Sequence, residues 1–230
     1  MNLFRLAGDM CHVVSIFVLL LRLQVTKNAV GISIKTQELY FLVFITRYLD
    51  LFTTFYSLYN TLMKIMYISA TGYMVYMVRY TEPFKTNFDK VQDSFLHWQF
   101  AVAPCAVLAL ITSIIQGFSI MEVRSYLNYF VVILHTYMLS YVTQVFWLFS
   151  IYLEALAIVP QLITLQRYRE VENLTAHYVF LLGLYRALYI LNWVYRSYHE
   201  AYYKHNWVVY TCGVIQTCLY VDFFYYYIIR

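Results

Sequence analysis

Charge is scarce in this sequence. Asp, Glu, Lys and Arg together make up 12% of its 230 residues, about half the share of an ordinary soluble domain, and a soluble domain is excluded on that ground. Glycine and proline are scarce as well, at six and three residues. No Pro/Gly-rich linker or low-complexity tract divides the chain, so it reads as one unit with short connections. The four cysteines, Cys11, Cys105, Cys212 and Cys218, lie in apolar runs without CxxC spacing or paired histidines. That argues against a metal site or a disulfide framework and makes them packing residues. The first apolar run carries Arg5, Asp9 and His12 and is followed by no small-residue cleavage site, so it is read as a mature helix rather than a signal peptide.

What the chain has in quantity is apolar sequence: 62% of it is hydrophobic and 20% aromatic. Lipid offers the backbone no hydrogen-bond partners, so a crossing segment must be a helix of roughly 20 mainly apolar residues. Candidate runs fall at about Leu3 to Leu23, Leu39 to Tyr59, Leu62 to Val78, Phe95 to Ile115, Tyr126 to Val142, Phe146 to Leu165, Tyr178 to Tyr195 and Trp207 to Ile229. With the fifth run set aside, Arg22, Lys27, Lys35, Arg79, Lys85, Lys90, Arg167, Arg169 and Arg230 fall on one side and Lys64, Arg196 and Lys204 near the other. Taking the basic excess as cytosolic puts the N-terminus on the lumenal or outer side and the C-terminus in the cytosol.

Ionisable groups in a bilayer are costly, so they pair or face a cavity. Arg5, Asp9 and His12 are spaced four and three apart, which places them on one helix face, and Arg47 and Asp50 are three apart within TRYLDLF. Glu154, then Arg186, Asn192 and Arg196, and finally Asp222 follow. Each pair reads either as an internal salt bridge or as part of a ligand site. Surplus arginine in an embedded cavity points to an anionic ligand, because the planar guanidinium grips carboxylates bidentately. Peptide or small-acid carboxylates are the natural candidates. His12 is either a neutral packed histidine or a group whose protonation strengthens anion binding in acid. Glu154 with Tyr185 is either a proton relay or a buried acid with a hydroxyl partner.

TRYLDLF and YRALYIL (Tyr185 to Leu191) share an arginine and a leucine in register, and Pro160-Gln161 opens the second half. That weak repeat suggests two three-helix halves joined by a linking helix, with the ligand site between them.

Longer stretches then carry a family resemblance: MNLFRLAGDMCH, GISIKTQELYFLVFITRYLDLFTTFYSLYNTLMK, FWLFSIYLEALAIVPQL, TAHYVFLLGLYRALYILNW and QTCLYVDFFYYY. On these the chain resembles the KDEL receptors, the ER lumen protein retaining receptors. The resemblance implies an all-α membrane protein with seven transmembrane helices in two three-helix halves plus a linking helix, similar to SWEET and PQ-loop transporters. The first half would span about 1–80, the linking helix about 95–115 and the second half about 146–230. It implies capture of the C-terminal Lys-Asp-Glu-Leu or His-Asp-Glu-Leu tail of escaped ER residents in the acidic Golgi, return in COPI vesicles and release at neutral pH. The protein would reside in ER and Golgi membranes, with COPI coat machinery and the bilayer as partners and no nucleic acid, cofactor or metal.

Residue by residue, the resemblance assigns Arg47 with Tyr48 to the peptide's terminal carboxylate, Arg5 to its glutamate and Arg196 to its aspartate. Glu122 and Trp147 would hold the leading lysine, with Trp147 stacked on the ammonium. Asp50 would line the site and help hold Arg47 or Arg186, the latter as ion-pair support. His12 is similar to the family's pH sensor, and Tyr185 with Glu154 resembles the hydrogen-bonded pair of the closed receptor. Tyr189, Asn192 and Trp193 would complete the pocket wall, and Asp222 resembles the last-helix aspartate linked with retrograde sorting.

Two departures stand out. The family spacing puts Glu122 and Trp147 three residues apart, and here a 22-residue insertion, 123–144, separates them. It reads either as an extra helical segment or as a translated intron, since Val-Arg can be encoded by GTAAGN and the closing Gln144 by CAG. An extra crossing would move Arg167, Arg169 and Arg230 to the lumenal side, against the charge rule. The sequon Asn173-Leu174-Thr175 is expected to stay unglycosylated on the cytosolic side. The chain also stops at Arg230, where the resemblance leads one to expect a short lysine-bearing tail. A rival function on the same scaffold is a SWEET-like small-solute transporter, which the arginines disfavour because a neutral sugar needs no cations. An enzyme is not indicated, since His12 and Glu154 are joined by no nucleophile or metal constellation.

Overall fold

The computed structural model describes residues 2–121, 130–168 and 172–229. Among them the chain is helical, with no strand. The helices are α1 (Leu3–Thr26), α2 (Ile34–Arg47), α3 (Leu58–Tyr80), the short α4 (Phe84–Asn87), α5 (Ala103–Met121), α6 (Phe130–Leu156), α7 (Val159–Tyr168), α8 (Asn173–His199) and α9 (Trp207–Ile229). A 3-10 turn at Leu49–Phe52 follows α2, and a π-helical turn at Trp98–Val102 leads into α5. Five stretches among the described residues are long and apolar enough to cross a membrane: Leu3–Thr26, Trp98–Gln116, Tyr141–Tyr168, Asn173–His199 and Trp207–Tyr225.

The helices are built inside out relative to a soluble bundle. On α1 the exposed apolar side chains Leu3, Met10, Val14, Phe17, Leu21 and Val25 form a stripe at helical spacing, while Asp9, His12, Ser15 and Arg22 are buried. Only lipid lets an apolar face point outward without cost while the polar face turns in. α1 packs chiefly on α8, α2 on α3 and α6, α5 on α6, and α9 on α8 and α6. Between them lies a buried core that includes Leu19, Val43, Phe44, Leu148, Leu153, Leu182 and Tyr220. At Gly8 an added Cβ would stand 3.0 Å from the Tyr189 ring, so the absent side chain is what lets α1 and α8 approach.

Local chemistry sets the helix ends. Asn2, Ser33 and Ser57 cap α1, α2 and α3, each side-chain oxygen accepting a backbone N–H three residues on. α1 ends at Lys27 in the left-handed region (φ 51°), with Gly31 (φ 79°) completing the reversal. α6 stops at Leu156 because Pro160 has no N–H to give to its carbonyl, and α7 restarts with that proline in its first turn.

Two expectations about the runs are corrected. The stretch Leu39 to Tyr59 is not one helix: α2 ends at Arg47, and Asp50 sits in the following turn. The fifth and sixth runs are not separate helices either. Residues 130–144, the described part of the insertion, form the first half of α6, one continuous 27-residue helix of about 40 Å. The apolar text runs on without a helix breaker, so composition alone could not place a boundary there.

One end of the bundle is closed by polar contacts. Gln161 accepts from Ser33 N–H (2.8 Å) and donates to Gly31 C=O (2.7 Å), while its own N–H donates to Thr36 (2.9 Å). Buried Asp93 accepts from the Ser33 hydroxyl at 2.8 Å, Arg22 pairs with Glu172 at 2.7 Å, and Arg167 donates to Gln92 C=O and Ser94. Arg79 pairs with Glu38 at the same end. Burial raises the Asp93 carboxyl above its ordinary value despite those donors.

Candidate functional site

The other end holds a cavity of about 310 Å³ between α1, α2, α3, α6 and α8, within the range of ligand pockets. α1 contributes Arg5, Asp9 and His12 to it, α2 with its cap Arg47 and Tyr48, and α3 Tyr59, Asn60, Met63, Lys64 and Tyr67. α6 adds Trp147, Ile151 and Glu154, and α8 adds Tyr185, Arg186, Tyr189 and Trp193. Four cations, Arg5, Arg47, Lys64 and Arg186, therefore face two carboxylates, Asp9 and Glu154, across the cavity.

Glu154 is the shared anchor. Arg47 approaches its Oε2 at 2.6 Å and Arg186 its Oε1 at 2.6 Å, and the Tyr185 hydroxyl donates to Oε1 at 2.7 Å. Arg186 also donates to the Tyr185 oxygen at 2.7 Å. Ser150, one turn before Glu154 on α6, takes two further bonds from Arg47, through its hydroxyl (3.1 Å) and its carbonyl (2.9 Å). One buried carboxylate thus serves two guanidinium groups, an arrangement that holds only because each partner is hydrogen-bonded as well.

Among the described residues Asp9 forms no salt bridge. Tyr59 donates to it at 3.0 Å and Tyr189 donates to its other oxygen, while Tyr67 donates to its backbone carbonyl at 3.3 Å. Next to it His12 stacks on Tyr185, ring centroids 4.2 Å apart. Arg5 lines the cavity with no salt bridge and no side-chain hydrogen bond among the described residues.

The structure thus gathers Arg5, His12, Arg47, Tyr48, Trp147, Glu154, Tyr185, Arg186, Tyr189 and Trp193 around one space. Other expected members stand apart. Asp50 does not line the cavity and holds neither Arg47 nor Arg186: it pairs with Lys64 at 2.7 Å, because α2 ends before it and the turn swings it toward α3. Asn192 is buried and accepts from Asn2 at 2.8 Å. Arg196 lines a neighbouring pocket of about 420 Å³, which shares Trp147, Trp193 and Val209 with the main cavity, and is gripped by Glu200. Hydrogen bonds from Arg196 hold the Glu200 carboxyl below its ordinary value. Asp222 is exposed on α9, and Glu122 lies outside the described residues.

Sequence reasoning passed over Ser150, Asn60, Lys64, Tyr59, Tyr67 and Glu200. The helical spacing of Asn60, Lys64 and Tyr67 on α3, of Ser150 with Glu154 on α6 and of Glu200 with Arg196 marks five of these; Tyr59 carried no such signal.

A helical bundle with apolar outer faces and an internal cationic cavity is a multi-pass membrane protein with a binding site among its helices. The chain belongs to the family of ER lumen protein retaining receptors, whose profile matches residues 28–196. It is 49% identical over 227 residues to an ER lumen protein-retaining receptor of Petunia hybrida, covering 99% of this chain and 94% of that one. It is 47% identical to ER lumen protein-retaining receptor B of Arabidopsis thaliana over the same shares, and 45% identical to the Drosophila melanogaster receptor over 100% of this chain and 95% of the relative. The family is one of retention receptors, not enzymes, in the membranes of the ER and Golgi system.

Proposed function

We propose that the chain binds the C-terminal Lys-Asp-Glu-Leu or His-Asp-Glu-Leu tail of escaped ER lumenal proteins in the acidic Golgi and releases it at neutral pH after COPI-mediated return. The observation that carries this reading is the charge of the cavity: of its four cations Lys64 is met by Asp50, Arg47 and Arg186 share the one carboxylate of Glu154, and Arg5 is unpartnered among the described residues. An acidic peptide ending in a free carboxylate is the ligand that neutralises it.

In this reading Arg47 with Tyr48 takes the terminal carboxylate. Arg47 uses three hydrogen bonds on Ser150 and Glu154, and a guanidinium has five N–H donors, so donors remain for a ligand. Arg5 takes the tail's glutamate, and Arg196, from the adjoining pocket, its aspartate. Glu122 and Trp147 receive the leading residue, Tyr189 and Trp193 complete the wall, and Asn192 acts from behind it through its hydrogen bond with Asn2. Asp50 acts through Lys64. His12 is the pH-sensing group, the Tyr185–Glu154 bond belongs to the closed form, and Asp222 serves sorting from the outer face of α9.

The same reading takes the bundle as seven crossings: α1, α2, α3, the 98–121 rod, α6 with α7, α8 and α9. Packing of α1 on α8 and of α2 on α6 supports two three-helix halves, about 1–80 and 146–230, facing each other across the site as in SWEET-like folds. Arg22, Arg79 and Arg167 all sit at the polar closed end. That supports a cytosolic position for it and a lumenal mouth and N-terminus. We take 123–144 as a translated intron, so that a chain lacking it keeps full binding.

The test is a pair of His-Asp-Glu-Leu peptides, one with a free C-terminus and one amidated, titrated onto purified protein in acid. Binding of the free form and loss of at least tenfold with the amide is expected, the loss of one charge-assisted contact. Equal binding of both, or sugar flux in proteoliposomes, would favour the transporter instead.

A further inference from the structure

Arg196, in the last turn of α8, has its binding edge already filled. Its Nε and Nη2 donate to Oε1 and Oε2 of Glu200, both at 2.8 Å, and its guanidinium carbon lies 4.6 Å from the centre of the Tyr203 ring. Two parallel N–H···O bonds are the way arginine holds a free carboxylate ligand. Glu200 is badly placed for a purely structural acid. It caps the carboxyl end of α8, where exposed carbonyls carry partial negative charge and a cation is the favoured residue. Both side chains are well exposed, at 37% and 48%, so the pair adds little to stability. They also line the open pocket that shares Trp147 and Trp193 with the main cavity.

We infer that Glu200 is an internal stand-in for cargo: its carboxylate occupies Arg196 in the empty receptor and is displaced by the aspartate of the retrieval signal. This rests on the assignment of Arg196 to that aspartate. Ligand binding at this arginine is then an exchange of one carboxylate for another, not the capture of a bare cation. Two consequences follow. Affinity for a tail carrying the acid is held below what Arg196 alone would give, and a tail lacking it leaves Glu200 in place. Lys204, which lines the same pocket, offers the displaced carboxylate a new counter-charge.

The test compares wild type, E200Q and E200A in binding His-Asp-Glu-Leu and His-Asn-Glu-Leu peptides in acid. E200Q removes the competing charge and keeps the shape, and E200A serves if the amide itself bonds Arg196. Because the displaced pair is exposed, the expected gain for the aspartate peptide is about two- to fivefold in both variants, with no gain for the asparagine peptide. Unchanged or weakened binding of the aspartate peptide in both variants would overturn the inference, as would an equal gain for both peptides. A wild-type receptor that does not distinguish the two peptides would instead contradict the assignment of Arg196.

Discussion

The imidazole of His12 lies parallel to the ring of Tyr185, centroids 4.2 Å apart and planes 8° apart. Tyr185 in turn donates to Glu154 and accepts from Arg186. A change of charge on α1 is therefore passed by direct contact to the network that binds α6 to α8. His12→Phe keeps a flat ring on Tyr185 and removes the titrating group. Peptide affinity of that variant is expected to be the same in acid and at neutral pH, whereas a single protonation lets the wild type change by up to about tenfold per pH unit. Titrations at both pH values check this, and a pH dependence retained in full would assign it to another group.

Glu154→Gln leaves Arg47 and Arg186 mostly buried without their common carboxylate. Removing one partner of a buried pair costs about 3–5 kcal/mol, so the apparent melting temperature in detergent or nanodiscs should fall sharply. A variant as stable as wild type would mean that solvent already screens both arginines.

Among the described residues Asp50→Asn breaks the pair with Lys64, the two side chains being 39% and 15% exposed. The expected loss of stability is below about 1 kcal/mol, with Arg47 still anchored on Ser150 and Glu154. If Asp50→Asn instead matched Glu154→Gln in thermal denaturation, Asp50 would be an anchor of the arginine network after all.

At the opposite end, burial raises the Asp93 carboxyl above the ordinary 3.8. In the interval between 3.8 and that raised value the folded protein binds a proton that the unfolded chain has lost. Stability from this group is thus present at lower pH and declines as pH climbs through the interval. Asp93→Asn should flatten that decline in melting curves taken from pH 4 upward, and an unchanged slope would place its origin elsewhere.

How much could be read in advance varied with the element. The limits of α9, Trp207 and Ile229, coincide with those of the apolar run, since polar text precedes it. α6 was misplaced because the apolar sequence continues through 126–165 with no breaker until Pro160. Within a helix, spacing was informative: Arg5, Asp9 and His12 do share the cavity. Partners on different helices were not legible. Periodicity says which face a residue occupies but not which helix comes to meet it, so Lys64 for Asp50 and Glu154 for both arginines emerged only from the packing. TRYLDLF shows both sides of this, with Arg47 ending α2 in the cavity and Asp50 turned out of it by the helix stop between them.

The central claim is that surplus arginine in this cavity binds a peptide carboxylate in acid. The most direct measurement is the affinity of a His-Asp-Glu-Leu peptide for purified protein at Golgi-like and neutral pH, in wild type and in Arg47→Ala. Tighter binding in acid, reduced by about ten- to a hundredfold in the variant, is the predicted result. Equal affinity at the two pH values, or binding untouched by Arg47→Ala, would contradict the account.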